Sequence, residues 1–121
     1  MPNWEPNWND VCWDYGAANA AAWALREKAN RIDSLLATRL GLASDARVDW
    51  LGPHRIRFDG ILEQMRVQSI RTGNALREAA DRVDRASSAA AAEQRRREED
   101  RKRWNDQKRD EDNARKPKPK H

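Results

Sequence analysis

Two long stretches of the chain repeat apolar residues in alternating steps of three and four positions. The first repeat covers residues 18–36 and the second covers residues 58–90. Such steps return a side chain to the same face of an α-helix, so each stretch predicts an amphipathic helix with a heptad seam. No stretch alternates apolar and polar residues for long enough to predict a strand. The pattern therefore predicts an all-α fold.

The two seams are expected to face each other as an antiparallel two-helix hairpin. The residues predicted to close this seam are Leu25, Ile32, Leu36, Phe58, Leu62, Met65, Leu76 and Val83. We expect the first helix to begin near Asp14 or Gly16, with Asp14 as its N-cap. Gly41 is typical of the position just beyond a helix, which predicts an end near Leu40 and one short further turn up to Val48.

A short turn, Trp50-Leu51-Gly52 followed directly by Pro53, separates the two predicted helices. Glycine permits a backbone angle that other residues resist. Proline suits the first helical position because its φ is already helical and its missing N–H is not needed there. The indole of Trp50 is expected to cap the open end of the seam. We therefore assign the hairpin turn to Trp50, Gly52 and Pro53.

A second, weaker apolar stripe follows the second helix at Ile56, Val67 and Ile70. It lies about 140° around the helix from the seam, at 3.6 residues per turn. One apolar face is enough to pack on the first helix, so a second face indicates a second neighbour. The alternative is that these are ordinary scattered surface residues. The stripe favours a partner, and we expect a homodimer or a heterodimer with another helical hairpin, forming a four-helix bundle.

Composition divides the chain into four segments. Residues 1–15 form an N-terminal arm with three tryptophans and one tyrosine. We expect the arm to pack on the hairpin or on its partner; the alternative is a disordered tail, although such tails are usually poor in aromatic residues. Residues 16–92 form the hairpin, residues 93–116 a charged helical extension of the second helix, and residues 117–121 a disordered basic tail.

The net charge of the chain lies in its last quarter. The chain has 24 Lys+Arg and 20 Asp+Glu, and the whole excess of +4 falls after residue 92. Opposite charges stand four positions apart there, which stabilises an exposed helix by about 0.2–0.5 kcal/mol per pair. A solvated extension is expected. The alternative hypothesis is a coiled-coil adaptor whose basic C-terminal helix binds nucleic acid or an acidic protein, although interleaved carboxylates make nucleic acid the less favoured partner.

The turn and its flanking helices resemble a known family. The residues from Trp50-Leu51-Gly52 to Phe58 are similar to the WXG family of small helical-hairpin proteins, which are associated with type VII secretion in actinobacteria and related Gram-positive bacteria. The segment of residues 8–18 is similar to uncharacterised actinobacterial members. The resemblance implies a dimer that acts as a secreted subunit, or as a chaperone or targeting partner of a larger effector. It also implies a secretion ATPase as a partner.

The family's export signal is a tyrosine followed four positions later by an acidic residue, just after the second helix. Here the aromatic residue of that region is Trp104, and Lys108 stands four positions later. Three interpretations of Trp104 stay open: a degenerate export signal, a partner contact or a surface residue. Without the signal in this chain, the other chain of a heterodimer would carry it.

The sequence offers little for catalysis, cofactors or metals. Its histidines, His54 and His121, lack neighbours at zinc-ligand spacing, and no glycine-rich phosphate loop occurs. We therefore expect a non-enzymatic protein without a cofactor or metal. No apolar run approaches the roughly 18 residues of a membrane span. We expect no secretory signal peptide, synthesis in the cytoplasm and, through the resemblance, export by a signal-peptide-independent route.

Overall fold

The computed structural model describes residues 2–48 and 50–115, and its regular structure is helical. Helix α1 comprises Tyr15–Ala46 and helix α2 comprises Pro53–Arg115. The described residues contain no strand. The predicted all-α fold is therefore confirmed. The tail predicted over residues 117–121 lies outside the described part of the chain.

The chain divides into two compact units. One unit consists of Tyr15–Arg85, and the other combines Met1–Asp14 with Ala86–His121. Helix α2 contributes to both units. We call the first of these the hairpin unit and the second the C-terminal unit.

Helix α1 begins where predicted and ends later than predicted. It begins at Tyr15, directly after Asp14, and continues through Gly41 to Ala46. The predicted end near Leu40 is therefore wrong. A glycine inside a helix costs about 1 kcal/mol relative to alanine. Because Ala43 beyond it is buried, tertiary packing outweighs this local preference.

Gly52 directly precedes α2 and has the positive φ that the turn was predicted to need. Its φ is +103°, and it is the one residue with a positive φ among those described. Its carbonyl accepts hydrogen bonds from the N–H groups of Arg55 and Ile56 at 3.1 and 3.3 Å. Pro53 occupies the first helical position. The turn thus starts α2 as the sequence predicts.

Trp50 packs on the first turns of α2. Its ring lies 5.1 Å from the ring of Phe58, centroid to centroid. Its carbonyl accepts a hydrogen bond of 3.0 Å from Nη1 of Arg55. The side chain nevertheless stays 36% exposed, so the indole covers the end of the hairpin only in part.

The interior of the hairpin unit is lined by alanine. The buried hydrophobic residues among those described are Ala18, Ala22, Ala29, Ala43 and Ala80. No large side chain in this set is fully buried, and all eight predicted seam residues are half-buried. Small residues let two helices approach closely. At the buried Gly73, for example, a Cβ would stand 3.3 Å from Oδ1 of Asp33. The large apolar side chains therefore lie beside the contact rather than inside it.

In the C-terminal unit the N-terminal arm lies along α2 and runs antiparallel to it. The indole N–H of Trp13 donates to Oγ of Ser87, and that of Trp4 donates to Oε1 of Gln107, each at 3.0 Å. The helix between these two contacts is about 30 Å long, and nine residues of extended chain reach about 30 Å. The arm is therefore largely extended. It covers one side of the helix that the charge pattern predicts to be solvated.

Candidate partner-binding surfaces

One edge of the hairpin unit is closed by ion pairs between α1 and α2. Nη2 of Arg26 lies 2.9 Å from Oδ1 of Asp81 and 2.6 Å from Oδ2 of Asp84. Nearer the turn, Nη1 of Arg47 lies 2.9 Å from Oδ1 of Asp59. Donating hydrogen bonds to Asp84 and Asp81 raises the pKa of the Arg26 guanidinium. Both helices thus contribute paired charges to this edge.

Arg77 continues the same edge between these two pairs. It forms an ion pair with Asp33 and donates to Oδ1 of Asn30 at 3.1 Å. The participating positions are separated by 4, 3 and 14 residues on α1 and by 18, 4 and 3 residues on α2. Each step is close to a whole number of helical turns, so the positions share one side of each helix. We call this side the ion-pair edge. It comprises Arg26, Asn30, Asp33, Arg47, Asp59, Arg77, Asp81 and Asp84.

The other edge of the hairpin unit holds a groove between the two helices. The groove has a volume of about 320 Å³ and is lined by Ile32, Leu35, Leu36, Arg39, Met65, Gln68, Ser69 and Thr72. Nη1 of Arg39 lies 3.9 Å from the sulfur of Met65. The side chains that line this groove are mainly apolar or uncharged, in contrast to those of the ion-pair edge.

Large apolar side chains beside this groove are exposed. Leu35 is 47% exposed, and Leu42 is 65% exposed at a position two turns further along the same side of α1. Ile61, one turn before Met65 on α2, is 60% exposed. We call the set Ile32, Leu35, Leu36, Leu42, Ile61 and Met65 the apolar edge. Clustered exposed apolar residues of this kind mark interaction surfaces.

The stripe predicted to contact a partner lies on a different face of α2. Ile56 is 75% exposed, Ile70 is also exposed, and Val67 is half-buried. Their helical positions place all three on the side of α2 that faces away from the groove. The structure therefore groups the three residues on one surface but does not join them to the apolar edge.

Three exposed apolar residues are absent from the sequence prediction: Trp23, Leu42 and Ile61. Leu42 lies beyond the predicted end of the first helix, and Ile61 stands one position off the predicted seam. Trp23 is 66% exposed and directly follows the buried Ala22. The sequence signal that could have found these residues is a large apolar side chain next to a seam position but not at one.

The second candidate surface is the place on α2 where the N-terminal arm lies. We call Gln94, Arg97, Arg101, Trp104 and Gln107 the arm seat. Arg97 and Arg101 donate to the carbonyl of Asn9 at 3.1 and 2.7 Å. Nε of Arg101 also donates to the carbonyl of Asn7 at 2.9 Å. Two arginines of the arm seat therefore bind main-chain oxygens of the arm.

Gln94 and Asp10 add a further contact between the arm seat and the arm. Oδ1 of Asp10 accepts a hydrogen bond from Nε2 of Gln94 at 3.0 Å and pairs with Nη1 of Arg101 at 2.8 Å. The contacts to Gln94 and Arg101 lower the pKa of the Asp10 carboxyl. The N–H of Val11 donates to Oε1 of Gln94 at 2.7 Å. Gln94 thus binds both the main chain and the carboxylate.

Aromatic contacts complete the arm seat. Trp8 meets Trp104 edge to face, with ring centroids 5.3 Å apart and planes at 89°. Nζ of Lys108 lies 5.3 Å from the Trp104 centroid, and the Arg103 guanidinium lies 5.9 Å from that of Trp4. Within the described part of the chain, the buried Nε1 of Trp104 has no hydrogen-bond acceptor. Trp104 is therefore an intramolecular contact for the arm.

The described residues contain neither a metal-binding cluster nor a membrane-spanning helix. No group of three or more His, Cys, Asp or Glu side chains is arranged to hold a metal ion there. No helical stretch in the same residues combines the length and the apolar character needed to cross a membrane.

Comparison with known proteins identified no relatives. No family model matches the chain, and no curated protein or solved structure is similar to it.

Proposed function

We propose that this chain is a non-enzymatic helical-hairpin protein that pairs with a second hairpin through its apolar edge. The observation that carries the proposal is the contrast between an interior built from alanine and large apolar side chains left exposed on one edge. Leu35, Leu42 and Ile61 are each about half exposed or more. A single hairpin leaves them without a covering layer.

The energetics favour covering this edge. Full burial of a leucine or isoleucine side chain is worth about 1.5–3 kcal/mol relative to exposure. Leu35, Leu42 and Ile61 realise only part of that gain in the single chain, because water still contacts much of each side chain. A second apolar surface against the groove would recover the remainder.

The form of the groove supports a helical partner. It lies between two antiparallel helices, and its lining residues occupy about two turns of each helix. A helix of a second hairpin can place its own apolar side chains between them, as helices do in four-helix bundles. Two copies of the same chain can meet in this way across a twofold axis. The ion-pair edge, whose charges already have partners, would then stay in water.

Within this proposal the protein serves a type VII secretion system. It acts there as a secreted subunit, or as a chaperone or targeting partner of a larger effector. The support is the resemblance at Trp50-Leu51-Gly52 to the WXG family, together with antiparallel helices on either side of that turn. Because Trp104 is engaged by Trp8, we propose that a partner chain supplies the export signal.

Binding of nucleic acid by the basic C-terminal helix has less support. Arg97 pairs with Glu93 at 3.0 Å, and Arg103 pairs with Asp100 at 2.9 Å. Arg101 is engaged by the arm, through Asp10 among other contacts. Arginines with carboxylate partners must exchange them for phosphates, which weakens the electrostatic gain.

The functional proposal is tested by following export in a host with a type VII system. Two strains are compared, one with an active secretion ATPase and one with an inactive ATPase, and culture medium and cells are probed for the tagged chain. We expect the chain, or a hairpin protein or effector that depends on it, in the medium of the active strain alone. If deleting the chain alters no ATPase-dependent export and the chain stays in the cells of both strains, the secretion role is wrong.

A further inference from the structure

Four of the hydrogen bonds that hold the N-terminal arm to α2 involve the main chain of the arm. Arg97 and Arg101 bind the carbonyl of Asn9, Arg101 also binds the carbonyl of Asn7, and Gln94 accepts from the N–H of Val11. Main-chain contacts of this kind require an extended segment but do not depend on its side chains.

Side chains of the arm supply the specificity. Trp4 contacts Gln107, and Trp8, four residues later, contacts Trp104. Pro6 between them is buried. Asp10 follows two residues later and binds Gln94 and Arg101. The chemistry recognised by the arm seat is therefore an extended segment with two spaced tryptophans followed by an acidic residue.

Charge also contributes to the contact between the arm and the arm seat. Residues 2–14 contain three carboxylates, Glu5, Asp10 and Asp14, and no lysine or arginine. The arm seat presents two arginines, Arg97 and Arg101, whose guanidinium groups both contact the arm. The acidic side chain of Asp10 pairs with Arg101, whereas Arg97 is paired with Glu93 and contacts only a main-chain oxygen of the arm.

We propose that the arm seat is a binding site for extended, acidic, tryptophan-bearing segments of a partner protein, and that the chain's own arm is its displaceable occupant. Most of the arm's side chains stay exposed or half-buried in place, Pro6 being the exception. Exposed hydrogen bonds and ion pairs contribute little net free energy each. The arm can therefore leave α2 at a modest cost in free energy. This site is separate from the apolar edge and does not rest on the function proposed above.

Tethering explains why the arm fills the site in the free chain. A segment that belongs to the same chain as its site rebinds intramolecularly, at an effective concentration above that of a peptide supplied at micromolar concentration. A free peptide of the same sequence competes poorly with it at micromolar concentration. Weakening the arm's own contacts should remove this advantage and open the site to a segment supplied in trans.

The test uses the full-length chain and a fluorescent peptide of residues 2–15. Binding is measured by anisotropy to the wild-type chain and to a Trp4→Ala/Trp8→Ala variant, whose arm keeps its length but loses the indoles of Trp4 and Trp8. We expect the peptide to bind the variant at least tenfold more tightly than the wild type. Adding Arg97→Ala/Arg101→Ala to that variant should abolish binding, and a peptide with Trp4 and Trp8 replaced by alanine should not bind.

Circular dichroism shows whether each variant keeps its helices. A second readout uses the Trp4→Ala/Trp8→Ala variant, in which added peptide should shift the indole N–H resonance of Trp104 and leave that of Trp23 unchanged. Equal affinity for wild type and variant, or binding that survives removal of both arginines, would overturn the proposal. So would a helical Trp4→Ala/Trp8→Ala variant that binds no peptide.

Discussion

Trp8 and Trp104 meet edge to face with ring centroids 5.3 Å apart, although 96 positions separate them in the sequence. Edge-to-face pairs of aromatic rings contribute about 0.5–1.5 kcal/mol beyond the area that they bury. This contact holds the N-terminal arm to the part of α2 after residue 92, which is otherwise almost entirely polar. The arm therefore acts as the apolar layer that the C-terminal half of α2 lacks.

Acid should loosen the arm through Asp10. Its pKa is lowered by Gln94 and Arg101, so the carboxylate stabilises the bound arm at pH values above its ordinary pKa of 3.8. That contribution is lost as the pH falls through the lowered value, because the protonated carboxyl no longer pairs with Arg101. Hydrogen exchange at the Val11 amide, followed across this acid range, should speed up.

The control for this prediction is Asp10→Asn, which removes the charge and keeps the shape. At neutral pH its Val11 amide should already exchange faster than in the wild type, and the step on acidification should shrink. A wild-type amide whose extra acid-dependent exchange persists unchanged in Asp10→Asn would show that other carboxylates release the arm.

The alanine interior predicts that enlarging a buried residue destabilises the hairpin. Ala29 and Ala80 are fully buried, and Leu at either position must push the helices apart. We expect each substitution to lower the free energy of unfolding by about 1–3 kcal/mol, measured by urea denaturation at 222 nm. The matched control is Ala24→Leu, since Ala24 is exposed on α1. If Ala29→Leu lowered the free energy of unfolding no more than Ala24→Leu does, the closest contact between the helices would not be at Ala29.

Three glycines with different surroundings should respond differently to alanine. Gly41 and Gly60 lie within helices, with open space where a Cβ would stand. Alanine there should raise the free energy of unfolding by about 0.5–1 kcal/mol each. Gly52→Ala should instead lower it by about 1–2 kcal/mol, because φ is +103° and L-residues resist such angles. If Gly52→Ala instead raised the free energy of unfolding, the turn would not require a positive φ at this position.

The ion-pair edge predicts a position-specific cost of charge reversal. Arg26→Glu would place three carboxylates together with Asp81 and Asp84, where one guanidinium now bridges two. The midpoint of thermal unfolding should fall, and added salt should restore part of the loss. Arg31→Glu makes the same change in net charge on an exposed position of α1. If both variants melt alike, the pairs of Arg26 add nothing beyond net charge.

Much of the fold follows from the spacing of apolar residues. Both helices, the turn at Gly52 and Pro53, and the half-buried state of the seam residues agree with the three-and-four pattern. That pattern could not show that alanine would form the closest contact, since alanine is weakly apolar and fits either face of a helix. The glycine signal at Gly41 predicted an end near Leu40, but α1 continues to Ala46 because buried Ala43 outweighs the local cost of glycine.

The candidate surfaces were less accessible from the sequence. The charge pattern of the C-terminal helix indicates pairs four positions apart within one helix, and some occur, such as Arg97 with Glu93. The contacts of Arg101 with Asp10 and Asn7 join distant parts of the chain, so no local pattern reveals them. No local pattern reveals the apolar edge either, because its position depends on how α1 and α2 pack on each other, with the ion pairs on the opposite edge.

The central claim, that a second hairpin covers the apolar edge, is tested most directly by the mass of the purified protein in solution. Light scattering should give twice the 14.0 kDa of the chain for the wild type. Leu35→Asp/Ile61→Asp should give the mass of one chain with helicity retained, whereas the matched Ile56→Asp/Ile70→Asp variant, on the other face of α2, should remain a dimer. A wild-type chain that is a stable, cooperatively folded monomer would contradict the claim. A dimer that survives the Leu35 and Ile61 substitutions but dissociates with those at Ile56 and Ile70 would contradict it equally.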